Sequence, residues 1–256
     1  ALSGVFPRPA AAPPNRRERI AWAVAALAVV AVLVLGIAYL RRPAAPARPL
    51  RLFLAPPEKT TLAGSIAVSP NGTQLAFVAT TPEGNSSLFV RPFDAIQARA
   101  LPGTEGAEHP FWSPDGRFLA FFVRNNGLKK IRVEGGPPQT LCQVFDARGG
   151  AWNRSGVIVF SRNLPEGLYQ VPETGGTPAP VTTLDRSRQE TSHQWPYFLP
   201  DGRHFLYLVW SAQSDARGVY LGSLDSKDTR RLMASDWRVA YAQAPDASGY
   251  LLFLRG

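Results

Sequence analysis

A turn signature recurs down this chain at nearly constant spacing, and that recurrence narrows the folds open to it. The signature reads Ser69-Pro70-Asn71-Gly72, Ser113-Pro114-Asp115-Gly116, Asn153-Arg154-Ser155-Gly156 and Leu199-Pro200-Asp201-Gly202, with a fainter copy at Ala244-Pro245-Asp246-Ala247. Fourth positions lie 44, 40, 46 and 45 residues apart. Pro pre-sets φ at the second turn position, Asp or Asn favours the third, and Gly absorbs a positive φ at the fourth. Each turn leads into a short apolar run: Leu75-Ala76-Phe77, Leu119-Ala120-Phe121, Val157-Ile158-Val159-Phe160, Phe205-Leu206-Tyr207 and Leu251-Leu252-Phe253. A period in the forties, with one hairpin turn and several short strands per unit, is the mark of a β-propeller.

The second repeat predicts strands over 109–112, 119–123, 129–133 and 139–142. Leu88-Phe89-Val90, Leu168-Tyr169-Gln170-Val171 and Val219-Tyr220-Leu221 take the middle-strand place in the first, third and fourth repeats. One such sheet cannot bury both faces, but sheets stacked around an axis cover one another. The expected class is all-β: a propeller of four-stranded antiparallel blades, four full repeats and a partial fifth, preceded by a single transmembrane α-helix. The chain begins with Ala1 rather than Met and stops at Gly256 inside the fifth unit, so a carboxyl-terminally truncated fragment is expected.

The membrane expectation comes from residues 20–40, a run of 21 without a charge. As a helix it would reach about 31 Å, close to the ~30 Å hydrocarbon core. Trp22 and Tyr39 fall near its ends, Arg16, Arg17 and Arg19 precede it, and Arg41 and Arg42 follow it. The run is longer than a signal peptide's apolar region. Arginines on both sides leave orientation unsettled by charge bias. The expected domains are a Pro/Arg-rich juxtamembrane tether (1–19), the span (20–40), a stalk with a candidate closing strand (41–55) and the propeller (56–256).

The net charge of +9 belongs mostly to the flanks of that run. Residues 1–60 hold nine Lys/Arg and two Glu, leaving 19 basic and 17 acidic residues for the repeats. Such a distribution suits anionic lipid headgroups and argues against nucleic-acid binding by this chain. Cys142, the only cysteine, excludes an intramolecular disulfide and reads as a small core residue.

Catalytic patterns are missing: there is no Gly-x-Ser-x-Gly, no phosphate loop and no His-Glu-x-x-His, and His109, His193 and His204 lack metal spacing. No catalytic residue, metal ligand or cofactor is expected within the chain. Loops feeding the innermost strands should instead converge on one mouth of the central channel. Aligned by turn, they carry Glu108, His109, Arg148, His193, Gln194, Trp237 and Arg238. Of these, Glu108, His109, Arg148, His193, Gln194 and Arg238 are the candidate ligand-binding rim. The two histidines titrate near neutrality, which suggests a response to pH. The competing reading makes these residues braces between blades, and Trp112, Trp152 and Trp195 read as interblade packing.

The unit at residues 113–121, Ser-Pro-Asp-Gly-Arg-Phe-Leu-Ala-Phe, preceded by Pro110-Phe111-Trp112, resembles the repeats of TolB-like (WD-like) propellers. Longer phrases, such as Ala55-Pro56-Pro57-Glu58-Lys59-Thr60-Thr61 and Gly135-Gly136-Pro137-Pro138-Gln139-Thr140-Leu141, resemble the carboxyl-terminal half of bacterial transmembrane serine/threonine protein kinases. That resemblance implies a cytoplasmic amino terminus, one membrane span and an extracytoplasmic propeller acting as a sensor. It also implies ATP and Mg as cofactors of an upstream kinase domain only, with the lipid bilayer and an extracytoplasmic ligand or protein as partners. Two alternatives stay open: the propeller of a membrane-anchored winged-helix regulator, and the amino-terminal propeller of a prolyl-oligopeptidase-like serine peptidase.

Overall fold

A computed structural model describes residues 16–40, 53–243 and 249–254. The chain divides into two units, Ala1–Leu50 and Arg51–Gly256. In the first, Arg16–Leu40 forms helix α1. Among the described residues, no helix is long and apolar enough to cross a membrane. The span expected over 20–40 is therefore not found among the described residues.

The second unit is built of antiparallel meanders. β1 (Thr61–Val68), β2 (Gln74–Thr80), β3 (Ser86–Pro92) and β4 (Arg99–Ala100) form the first sheet; β5 (Ala107–Trp112), β6 (Phe118–Val123), β7 (Gly127–Arg132) and β8 (Gln139–Cys142) form the second. The third holds β9 (Gly150–Trp152), β10 (Val157–Ser161), β11 (Leu168–Pro172) and β12 (Ala179–Pro180). The fourth holds β13 (Glu190–Phe198), β14 (His204–Ser211), β15 (Gly218–Ser223) and β16 (Arg230–Met233), and a hairpin of β17 (Val239–Gln243) and β18 (Gly249–Phe253) follows. The innermost strands β1, β5, β9, β13 and β17 each lie against the next, as in a propeller. Four-stranded blades were expected, and four are present with a two-stranded fifth. The strand suggested near residue 54 is not formed at Phe53 and Leu54; residues 50–52 and the fifth turn at 244–248 lie outside the described residues.

Each sheet's second strand is apolar at nearly every position because both of its faces are covered. Side chains alternate across a strand, and the core divides accordingly. Ala76 and Val78 of β2 meet Leu119 and Phe121 of β6 between the first two sheets. Ala120 and Phe122, on the other face of β6, meet Ile158 and Phe160 of β10. Val159 of β10 then meets Phe205, Tyr207 and Val209 of β14, and Leu206 faces Val239 and Tyr241. Polar links stitch the same seams: Trp112 Nε1 donates to Ala67 O (2.9 Å), Lys130 Nζ to Glu173 O (2.7 Å) and Tyr197 Oη to Tyr241 O (2.9 Å). Cys142 is buried as expected, and burial pushes its thiol up to about 11.

The first two recurrent turns share one hydrogen-bond scheme. Ser113 Oγ donates to Asp115 Oδ1 (2.6 Å) and accepts from Phe118 N (2.9 Å), while Arg117 N donates to Asp115 (3.0 Å). The Ser113 hydroxyl, ahead of the backbone and Arg117 donors, holds the Asp115 carboxyl down to about 2. In the divergent third repeat Asn153 alone does both jobs, its Oδ1 accepting from Ser155 N (3.0 Å) and Val157 N (2.9 Å). Gly72, Gly116, Gly156 and Gly202 all hold φ between 67° and 77°. A Cβ on Gly116 would meet only Pro70, at 3.8 Å, so backbone strain alone sets the cost of a side chain there. Gly116→Val should destabilise the fold by about 1–3 kcal/mol, read as a lower urea midpoint with an unchanged slope.

Candidate functional site at the propeller axis

The innermost strands are not regular, and their irregularities make the site. β5 and β13 each carry a bulge, between Glu108 and Phe111 and between Gln194 and Tyr197. The extra residue is His109 in one and Trp195 in the other, with φ of 50° and 52°. Both precede a proline, Pro110 and Pro196. A bulky residue in the left-handed region costs roughly 1–3 kcal/mol, and a following proline disfavours helical conformations further. The matching place in the third sheet is a glycine, Gly149 (φ 84°), and in the first sheet it is Ser65, which follows Gly64 (φ 74°).

His109 and Trp195 meet edge to face, their ring centroids 4.8 Å apart. Ser65 Oγ, on β1, shares a hydrogen bond with His109 Nδ1 (3.2 Å). The indole lies across Gly149, where a Cβ would come within 2.5 Å of the ring. Trp195 N also donates to Arg148 O (2.8 Å). From the fifth sheet's approach, the exposed Arg238 guanidinium sits over the Trp195 ring at 5.1 Å. Ser65, His109, Arg148, Trp195 and Arg238 thus come together from five successive blades.

Charge around this cluster is partly paired. Arg148 holds Asp146 with both terminal nitrogens (2.8 and 3.2 Å), and Arg124 reaches Asp146 (3.3 Å) and Glu108 (3.7 Å). Burial, followed by Arg148 and Arg238, drives the His109 imidazole down to about 4, against a small opposing pull from Asp146. His109 is therefore neutral at pH 7 and does not switch near neutrality, contrary to the sequence expectation.

Of the expected rim residues, Glu108, His109, Arg148 and Arg238 gather at the axis. His193 does not. It is only 2% exposed, with Nδ1 2.7 Å from Thr182 Oγ1 and Nε2 3.0 Å from Glu190 Oε2, and its N–H donates to Glu166 O. This is a brace between the third and fourth blades. Gln194 is half-buried, and its side-chain amide donates to Ser192 Oγ (2.7 Å). The residue that belongs in their place is Trp195, which stands four residues before its turn as His109 does. Of the three tryptophans read as packing, Trp112 is a buried seam residue, while Trp195 faces the axis. Trp237, next to Arg238, is exposed.

Among the described residues, no group of three or more His, Cys, Asp or Glu is placed to hold a metal ion. Two grooves lie away from the axis along blade seams: one of about 230 Å³ beside Val181 and Lys227, the other of about 400 Å³ beside Cys142 and Arg162.

Comparison with solved structures fits this architecture. A TolB protein from Agrobacterium tumefaciens superposes with a TM-score of 0.60 at 15% identity, over 76% of each chain. The fold is a TolB-like β-propeller. TolB from Acinetobacter baumannii gives 0.51 at 18% identity over 66% of this chain and 42% of its own. A puromycin-hydrolyzing peptidase of Mycobacterium tuberculosis gives 0.54 at 17% identity over 78% of this chain and 36% of its own. No protein-family model and no curated protein matches the sequence.

The brace and the axis residues should separate on mutation. His193→Ala removes one buried partner from each of Glu190 and Thr182 and should lower unfolding free energy by about 1–3 kcal/mol. Arg238→Ala, at an exposed position of this TolB-like propeller, should stay within about 0.5 kcal/mol of the parent. Chemical denaturation of both variants measures the difference.

Proposed function

We propose that this chain is a membrane-anchored extracytoplasmic interaction propeller that senses a ligand at its axis. In this reading it forms the carboxyl-terminal part of a receptor-type bacterial serine/threonine protein kinase. The observation that carries the sensing role is the axial cluster, where five blades each present one side chain to a common point. The innermost strands and the segments leading into them hold those groups, and a bound body that touches several blades is read by the whole domain. Strain retained at His109 and Trp195, where glycine would relieve it, supports a role beyond packing.

The membrane anchor and the kinase output rest on sequence alone: the uncharged run 20–40 with its flanking arginines, and the resemblance of the phrases around residues 55–61 and 135–141. Partners under this reading are the lipid bilayer and a ligand outside the cytoplasm, with ATP and Mg confined to a kinase domain preceding Ala1. The fold shared with a peptidase supports a second reading, in which the propeller would screen substrates for a hydrolase domain.

Two measurements test the proposal. Alkaline phosphatase fused after Arg51 should be active and fused at Ala11 inactive; activity at neither site would sink the extracytoplasmic placement. In the parent polypeptide, Trp195→Ala with Arg238→Ala should abolish stimulus-dependent autophosphorylation while the fold persists. Unaltered phosphorylation would remove the axis as the sensing site, and peptide hydrolysis in its place would establish the peptidase reading.

A further inference from the structure

The axial cluster leaves one cation without a carboxylate among the described residues. Three guanidinium groups, Arg124, Arg148 and Arg238, stand with two carboxylates, Glu108 and Asp146. Arg124 and Arg148 are engaged by those acids, whereas Arg238 has its guanidinium carbon 5.1 Å from the centroid of the Trp195 ring and its side chain exposed. An exposed guanidinium presents parallel N–H donors matched to a planar carboxylate. Beside it, His109 adds an imidazole edge already fixed by Trp195 and Ser65.

We propose that the mouth of the axis binds a carboxylate, received by the Arg238 guanidinium and resting against the Trp195 indole. This rests on the sensing role argued above and names the chemistry of its ligand. A monoanion balances the single surplus charge; a phosphate dianion would overshoot it and face Glu108 and Asp146. The stacked indole and the edge of His109 offer an apolar wall for a planar body attached to the carboxylate.

Protonation should be linked to occupancy. The groups facing His109 are Ser65, Trp195, Arg148, Arg238, Asp146 and Arg124. In the empty site burial, reinforced by repulsion from Arg148 and Arg238, keeps the imidazole neutral above about 4. An anion placed against Arg238 offsets that repulsion, raises the imidazole's affinity for a proton, and makes binding tighter as pH falls from about 7 toward 5.

The test is calorimetric titration of the full chain in detergent with benzoate, acetate and inorganic phosphate. Benzoate should bind more tightly than acetate, and phosphate most weakly. Arg238→Gln should weaken benzoate about tenfold or more, whereas Arg230→Gln, at an exposed arginine of β16, should leave it unchanged. His109→Gln should flatten the pH dependence. Equal benzoate affinity in Arg238→Gln and the parent, or tighter phosphate than benzoate, overturns the proposal. So does the absence of benzoate binding in the folded parent, checked by its unfolding midpoint. Carboxylate binding without any change in kinase output would sink the sensing role and leave this site standing.

Discussion

A sheet whose central strands are apolar at nearly every position has two faces to keep from water, and the whole repeat unit answers to that demand. Phe121 and Phe122 are neighbours in β6, yet one is buried against the first sheet and the other against the third. Each such side chain is worth about 1.5–3 kcal/mol when removed from water. With the seams supplying the driving force, the turns have only to reverse the chain. They do so with a hydroxyl, a carboxylate or amide, and a left-handed glycine. The innermost strands, which contribute fewer core side chains, are left free to depart from regular pairing.

That freedom is used at one level of the axis. In β5 and β13 the extra bulge residue is bulky and left-handed, in a position where the third sheet places glycine. Gly149 has a further reason to be glycine, since the Trp195 indole occupies the space its side chain would need. The small residue in one blade and the large one in the next are therefore complementary. The result is a short platform whose aromatic parts stand on strands and whose arginines stand on the segments leading into them.

How much of this could be read from residues depended on what kind of signal each part leaves. The turns and the two-faced strands leave a period and an unbroken apolar run, so blade number, order and most strand positions were legible. Even the third turn, without Pro or Asp, kept its function because one asparagine can both accept like serine and bracket like aspartate. The axis was half legible. Glu108, His109, Arg148 and Arg238 followed from counting back from the turns. His193 and Gln194 came from counting one residue too far, and the repeated proline at Pro110 and Pro196 held the register that places Trp195 instead. Neither the positive φ of His109 nor its depressed basicity has any counterpart in composition.

Ser65, His109, Arg148, Trp195 and Arg238 stand on five different sheets, so the separations among them record the tilt of one sheet against the next. Anything that touches two of these side chains also ties two blades together, and the load passes through every seam lying between them. The cluster works as a hub, with the sheets as its spokes. Its geometry is set by hydrophobic seams whose own chemistry has nothing to do with recognition. Stiffness in those seams and selectivity at the hub are for that reason one mechanical property, and loosening a seam blurs the hub without any change to a residue that lines it.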